Sequence, residues 1–257
     1  MILALDTGNT NIVIGIVDEN DKILFSARVA TDHQKTEHEY AVFFRNIVLM
    51  HGIDRHEIDG AIISSVVPQL TEILKRAVRI FCDVEPLVVG PGVKTGLNIL
   101  IDNPKQLGSD LVVDAVAALA EYKPPLIILD LGTASTMSVI DGNGNYRGGV
   151  IIPGVRISLD ALASRASQLQ NISLEAPGHV IGTNTIDCMK SGLIYGQASM
   201  FDGMIDRIEE ELGQKATVVA TGGLARPILT QSRRKIIIDD DLLIKGLIRI
   251  YRKNRTA

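Results

Sequence analysis

The sequence predicts an α/β fold built from two tandem modules, each a mixed sheet flanked by helices. Three observations carry that reading. Apolar, β-rich runs alternate with stretches of helical periodicity. The order of these segments, hairpin strands followed by helix, strand and helix, occurs twice. The phrase ILALDTGNTN at residues 2–11 returns as IILDLGTAST at residues 127–136, with Asp130 lying 124 positions after Asp6. A length of 257 residues suits one large domain or two of about 125. The divide is expected near Lys123-Pro124-Pro125, giving modules 1–123 and 124–257.

In the first half, residues 2–6 and 12–17 read as strands around the turn DTGNTN, and KILFSARVA (22–30) continues the series. HEYAVFFRNIVLMHG (38–52) has helical spacing, with Gly52 as a C-cap. GAIISSVVP (60–68) reads as a buried strand, QLTEILKRAVRIF (69–81) as an amphipathic helix and PLVVG (86–90) as a short strand. GSDLVVDAVAALAEY (108–122) is a helix with an Ala-rich buried face. The pattern then restarts. PLIILD (125–130) is a strand, LGTAST a turn and MSVID (137–141) a strand. GNGN (142–145) supplies a hairpin turn before YRGGVIIPG (146–154). VRISLDALASRASQL (155–169) is a helix, and residues 187–213 form a long helical stretch punctuated by glycines. ATVVATGG (216–223) is a strand entering a Gly-Gly turn, and residues 233–253 close the chain with a short strand and a helix.

Composition narrows the function classes. Hydrophobic residues make up 46%, enough for a sizeable core, and a net charge of -4 gives no electrostatic argument for nucleic acid or an anionic membrane. The basic end RIYRKNRTA is short and reads as a solvated tail. Cys82 and Cys188 form no CxxC pair and read as buried free thiols. No apolar run reaches the roughly 18 residues of a membrane span, and Met1 leads straight into a strand pattern. The expectation is a cytoplasmic chain with no membrane or nucleic-acid partner.

The repeated Asp-x-Gly phrase carries the chemistry. Gly8 and Gly132 let a ligand approach the backbone, and the N–H groups of such a turn form an anion-binding nest. Thr10, Asn11, Thr133, Ser135 and Thr136 add donors for phosphate oxygens. A carboxylate beside phosphate is repulsive unless a cation lies between them, so Asp6 and Asp130 imply Mg²⁺ or another cation. Two such turns suit a nucleotide cleft with one copy on each side. VVATGGLA (218–225) delivers Thr221, Gly222 and Gly223 at a strand end, where a flat base or ribose can lie against the backbone. Asp110, just before an Ala-rich helix, fits both a carboxylate that takes a hydroxyl proton and a plain N-cap residue. Asp114 reads as an ordinary polar helix position. GPGVKTG (90–96) fails the P-loop spacing, because Val93 precedes Lys94 where Gly is required.

These elements, in this order, resemble the acetate kinase, sugar kinase, Hsp70 and actin superfamily, whose modules are ribonuclease H-like (the actin-like ATPase fold). DTGNTNIVIG (6–15), PGVKTGL (91–97), IDNPKQLGSD (101–110), DLGTAST (130–136), GGVIIPG (148–154) and TGGLA (221–225) are similar to type III pantothenate kinase. The resemblance covers nearly the whole chain. It implies ATP-dependent phosphorylation of pantothenate, the first step of coenzyme A synthesis, by a homodimer using Mg²⁺ and a monovalent cation, K⁺ or ammonium. It implies Asp110 as catalytic base and Gly108, Ser109, Asp110, Leu111 and Thr185 as pantothenate contacts. It implies Asp6, Thr7, Gly8, Asn9, Thr10, Asn11, Ile12, Val13 and Thr133 as ATP contacts, with Thr221, Gly222 and Gly223 in the adenosine motif. Asp130 matches the monovalent-cation ligand, and Asp6 is the candidate for Mg²⁺.

One departure stands out. The family motif usually reads Gly-x-Asp-Arg, and here it reads Gly108-Ser109-Asp110-Leu111. Leucine can hold neither substrate nor phosphate as a guanidinium does. That supports a second reading, a catalytically silent relative that binds ligand in a regulatory role. A third is a kinase of the same superfamily acting on a different small alcohol.

Overall fold

The computed structural model describes residues 1–166 and 169–255. Ser167 and Gln168, within the helix expected over 155–169, lie outside the described residues, as do Thr256 and Ala257. The first half of the chain forms β1 (Ile2–Thr7), β2 (Asn11–Val17), β3 (Ile23–Ala30), α1 (Glu37–Met50), β4 (Gly60–Ser65), α2 (Pro68–Cys82), β5 (Leu87–Val88), β6 (Asn98–Ile99) and α3 (Ser109–Glu121). The second half forms β7 (Leu126–Leu131), β8 (Ala134–Ile140), β9 (Asn145–Pro153), α4 (Val155–Arg165), α5 (Thr185–Leu212), β10 (Thr217–Thr221), α6 (Ala225–Leu229), β11 (Ile237–Ile238) and α7 (Leu242–Arg255).

Two compact units result. One comprises residues 1–97, 102–120 and 241 onward, the other residues 98–101 and 121–240. The first unit carries a sheet of order β3-β2-β1-β4-β5, the second a sheet of order β11-β10-β7-β8-β9-β6. Reading β7 for β1, β8 for β2, β9 for β3, β10 for β4 and β11 for β5, the two sheets share one topology. In each, the leading strand pairs antiparallel with its hairpin partner and parallel with the strand beyond the first helices.

Side chains alternate along β1. Leu3 and Leu5 join a core with Tyr40 and Phe44 of α1 and Leu74 and Phe81 of α2. Ile2 and Ala4 face the other way, into a core with Val113 of α3 and Ile244, Leu247 and Tyr251 of α7. Both faces are covered, so the run ILAL is apolar throughout rather than alternating. α1 is bounded by a capping box, Thr36 with Glu39. It ends at Met50 with His51 as its cap, followed by Gly52, whose φ of +74° turns the chain. The N–H groups of Gly52 and Ile53 donate to the carbonyls of Leu49 and Val48, closing the helix in a Schellman motif. In the second unit, Ile127, Leu129 and Leu131 of β7 pack with Leu159 of α4, Phe201 and Ile205 of α5 and Ile228 of α6.

Several expectations are corrected. A single cut at 123/124 does not describe the units, because α7 packs on the first sheet. Burying Ile244, Leu247, Ile248 and Ile250 stabilises by roughly 1.5–3 kcal/mol each. That exceeds the at most ~1 kcal/mol available from the exposed Arg252–Asp21 pair, so apolar burial sets where α7 lies. The basic end is therefore the last turn of a helix up to Arg255, not a tail. LGTAST is not all turn, since β8 begins at Ala134. β6 and α6 lacked a signal, being short and without periodicity. Of the expected stretch 187–213, residues 187–212 lie in one continuous helix despite Gly192, Gly196 and Gly203, and Gly213 is its left-handed cap. Cys188 is exposed rather than buried, whereas the half-buried Cys82 thiol is pushed up to about 11 by burial.

Gly246 of α7 tests the packing of α7 on α3. A Cβ there would stand 2.1 Å from the Val113 carbonyl oxygen. Gly to Ala in an open helix interior stabilises by roughly 1 kcal/mol. Gly246→Ala is expected to reverse that sign and cost about 1–3 kcal/mol, read as a lower midpoint in a urea melt.

Candidate active site

In the first unit, Asp6 and Thr7 end β1 and are buried. Residues 8–11 turn the chain between the register pair Thr7–Ile12, closed by the Gly8 N–H donating to the Asn11 carbonyl at 2.9 Å. Thr31 braces this turn: its hydroxyl donates to the Gly8 carbonyl at 2.7 Å and its N–H to the Thr10 carbonyl at 2.9 Å. Asn9, Thr10 and Asn11 are exposed. Ile12 lies in the core, which leaves only its main chain for a ligand, and Val13 is half-buried opposite Asp6. The Thr7 hydroxyl oxygen is buried and has no hydrogen-bond partner among the described residues.

β4 lies beside β1 in the register Asp6–Ser64 and Thr7–Ser65, and the Val66 N–H donates to the Thr7 carbonyl at 3.0 Å. α3 starts at the same end of the sheet. Its Ser109 Oγ lies 3.0 Å from Ser64 Oγ, accepts from the Ser65 N–H at 3.2 Å and lies 3.2 Å from the Ser65 carbonyl. The Val112 N–H donates to the Gly108 carbonyl, so Asp110 sits within the first turn of the helix rather than at its cap. Asp110 Oδ1 accepts from the Leu111 N–H at 2.8 Å. The Cβ that Gly108 lacks would stand 2.4 Å from that same oxygen, so glycine leaves the room the carboxylate occupies. Burial pushes the Asp110 carboxyl above the ordinary aspartate range, and the N–H groups of Leu111 and Asp110 only partly offset it. A carboxylate so raised is a stronger proton acceptor than an exposed aspartate.

In the second unit, Asp130 is the penultimate residue of β7, with Thr136 of β8 and Thr221 of β10 as its register neighbours. The turn between the pair Leu131–Ser135 is closed by the Gly132 N–H donating to the Ala134 carbonyl at 3.1 Å. Thr133 is exposed at its tip. Gly222, at φ +97°, packs onto Asp130: a Cβ there would meet Asp130 Oδ1 and the Leu131 nitrogen at 2.6 Å. Thr221 is buried and Gly223 exposed. A Cβ on Gly154 would stand 2.1 Å from the Thr133 carbonyl oxygen, which accounts for the glycine of IIPG. Ser135 is buried within β8, and the Thr136 hydroxyl oxygen is also buried, so neither is the turn donor that the sequence suggested.

Each unit thus gathers one set of the anticipated residues. The first brings Asp6 to Val13 and Gly108 to Leu111 to the same end of one sheet. The second brings Asp130, Thr133, Thr221, Gly222 and Gly223 to one end of the other. Thr185, also in the second unit, is exposed as the first residue of α5, behind its N-cap Asn184.

The family model for type III pantothenate kinase matches residues 2–207. The chain belongs to the type III pantothenate kinase family. It is 46% identical over 254 residues to the type III pantothenate kinase of Halalkalibacterium halodurans, covering 99% of this chain and 100% of that one. It is 44% identical to the one from Exiguobacterium sp., with the same coverage. Among solved structures it resembles the activator of the 2-hydroxyisocaproyl-CoA dehydratase from Clostridium difficile, with a TM-score of 0.56 at 13% identity over 100% of this chain and 97% of that one. A ROK family glucokinase from Streptomyces griseus gives a TM-score of 0.51 at 16% identity over 100% and 99%. These distant structures share the fold.

Against the type III pantothenate kinase pattern, the structure adds what spacing could not show. Asp114 is 1% exposed, not an ordinary polar helix position. Ser109 turns its hydroxyl inward to β4. Ser64 carries no sequence signal, being a serine at a strand end.

Gly108→Ala tests the packing around Asp110. The new methyl meets only the tip of a flexible side chain, so the fold should survive with a thermal midpoint within a few degrees. Turnover should fall by about tenfold or more, because a displacement near 1 Å at a reacting group costs up to ~100-fold.

Proposed function

We propose that the chain transfers the γ-phosphoryl group of ATP to the primary hydroxyl of pantothenate, giving 4'-phosphopantothenate and ADP, with Asp110 as general base. The O–H bond of the alcohol breaks as its oxygen bonds to phosphorus, Asp110 takes the proton, and the bond from phosphorus to the β,γ-bridging oxygen breaks. Family membership supports the substrate and the reaction. The observation that carries the mechanism is the half-buried Asp110 carboxylate, raised by burial, at the sheet end that also holds the Asp6–Asn11 turn.

The exposed main chain and side chains of Gly8 to Asn11 suit phosphate oxygens, and Thr133 offers a second hydroxyl donor. Thr221, Gly222 and Gly223 are assigned to the adenosine. Gly108 to Leu111 and Thr185 are assigned to pantothenate. Mg²⁺ fits the Asp6 end of β1. It keeps several waters and commonly takes one or two carboxylates plus phosphate oxygens, and no cluster of three or more His, Cys, Asp or Glu side chains able to hold a metal occurs among the described residues. When bound it neutralises charge on the transferring group. A monovalent cation fits Asp130, whose register neighbour Thr136 keeps a buried hydroxyl oxygen without a hydrogen-bond partner among the described residues. K⁺ or ammonium is accordingly included, as are a homodimeric assembly and a cytoplasmic location. No described helix is long and apolar enough to cross a membrane.

The test is formation of ADP and phosphopantothenate together from ATP, Mg²⁺, K⁺ and pantothenate. Asp110→Asn should lower kcat by roughly 100-fold to 10,000-fold. The base works deprotonated, so wild-type kcat/KM should rise with pH through the Asp110 value, placing the acidic limb above that of an ordinary aspartate. Stability has the opposite sign. A carboxyl raised in the folded state adds stability at low pH and loses it as pH rises through that value, so Asp110→Asn should not lower the thermal midpoint at neutral pH. Normal turnover in this variant removes Asp110 from the reaction.

Leu111 favours a second reading, the catalytically silent relative. It is half-buried in the first turn of α3 and brings no charge to the site. If pantothenate binds calorimetrically without turnover, Leu111→Arg should restore turnover with little change in affinity. If the wild type turns over, Leu111→Arg should change kcat by less than about threefold.

A further inference from the structure

The Ser109 hydroxyl has one proton to donate and two lone pairs to accept with. All three are used when Ser64 Oγ–H donates to it at 3.0 Å, the Ser65 N–H donates to it at 3.2 Å, and it donates to the Ser65 carbonyl at 3.2 Å. A saturated hydroxyl has nothing left for a substrate, so Ser109 can meet pantothenate only through its main chain. Its place in the sheet explains the saturation. β5 pairs with β4 only at Ile62 and Ile63, so the edge of β4 is open beyond that point. Ser109 meets the open edge at Ser65, where a further strand residue would otherwise sit. On its other side, β4 is locked to β1, with Ser64 beside Asp6 and Ser65 beside Thr7. A chain of short contacts therefore runs from the β1 turn through the end of β4 to the first residue of α3, one position before Asp110.

We infer that the Ser109 hydroxyl is a positioning group, with Ser64 as its partner, which ties α3 to β4 and so fixes where the Asp110 carboxylate stands relative to the β1 turn. This rests on the assignment of Asp110 as the base. The alternative, that Ser109 merely satisfies an open strand edge, makes a different prediction. Water can satisfy the same main-chain groups at little cost in stability, but water does not tether a helix. Loss of the hydroxyl should then leave the fold and ligand affinity nearly intact and act on the chemical step.

Ser109→Ala, Ser64→Ala and the double variant, made in the full chain, decide between these. Each is assayed for kcat, for KM toward ATP and pantothenate, and for thermal midpoint. In Ser109→Ala, kcat should fall by about 10-fold to 100-fold, with each KM within about twofold of wild type and the midpoint within a few degrees. Ser64→Ala should lose less, about threefold to tenfold, because the Ser65 main-chain bonds survive. The double variant should be no slower than Ser109→Ala, since two hydroxyls acting as one unit are not additive. Full kcat in Ser109→Ala overturns the inference. So does a loss of kcat matched by a rise in both KM values and a large fall in midpoint, the pattern of general loosening. If Ser109→Ala does not fold, an unchanged kcat in Ser64→Ala overturns it. Asp110→Asn separates the two levels. Normal turnover there removes the base assignment itself, whereas an inactive Asp110→Asn beside a fully active Ser109→Ala removes only the positioning role.

Discussion

β1 and β7 are buried along their apolar runs, and that constraint organises the rest of the structure. From Ile2 to Leu5 and from Leu126 to Leu129, every residue is at most 2% exposed. Such strands have no place for polar chemistry along their length. The first positions that can carry a carboxylate are at their C-terminal ends, where Asp6 and Asp130 stand, followed by the two turns. Ligand binding outside the carboxyl ends of strands is the general outcome in open α/β sheets. Here it arises from covering, not from any property of the turn alone.

A carboxylate at that end of a sheet, on a strand or on the helix beside it, needs room in crowded backbone, and both units find it in the same way. Gly108 leaves space for Asp110 Oδ1, and Gly222 leaves space for Asp130 Oδ1. In neither case does the glycine chiefly serve its own flexibility. The missing Cβ is the volume into which the neighbouring carboxylate fits. At Gly222 the backbone is also left-handed, so two requirements converge on one residue. At Gly108 only the volume matters. Gly154 extends the pattern by admitting the carbonyl of Thr133, which sets the second turn against the start of α4.

What the sequence made legible followed from periodicity and repetition. The apolar runs, the doubled Asp-x-Gly turn and the long helices all carry local signals, and most strands stand within a residue or two of where the pattern puts them; β4 stops at Ser65, three residues short, because Pro68 opens α2. What stayed hidden depended on partners distant in sequence. The boundary of β8 moved because Ala134 to Thr136 pair with β9, a contact that hydroxyl-rich composition conceals. β6 is two residues long and exists only through its pairing with β9. The burial of Asp114 and the exposure of Cys188 are tertiary properties with no local sequence signal. Ser109 lay inside a recognised motif, yet its side chain answers to Ser64 and Ser65, some 45 residues earlier.

The two modules are copies, but they are not used alike. Each repeat ends in a helix, α3 in the first and α7 in the second. Both belong to the first unit, where Val113 of α3 and Ile244 and Leu247 of α7 share one core with Ile2, Ala4 and Ile62. Gly246 permits their close approach, since its Cα sits against the Val113 carbonyl. This places α3 on the sheet whose β4 ends in Ser64 and Ser65, and so brings Asp110 to the end of that sheet where β1 turns. The second unit has no repeat-final helix of its own in that position. Its strand β10 ends instead in Thr221 and Gly222, which pack on Asp130. One topology thus yields a turn with a candidate base in the first unit and a turn with a candidate cation ligand in the second. The first unit thereby gathers both repeat-final helices on one sheet, where apolar burial sends α7 beside α3.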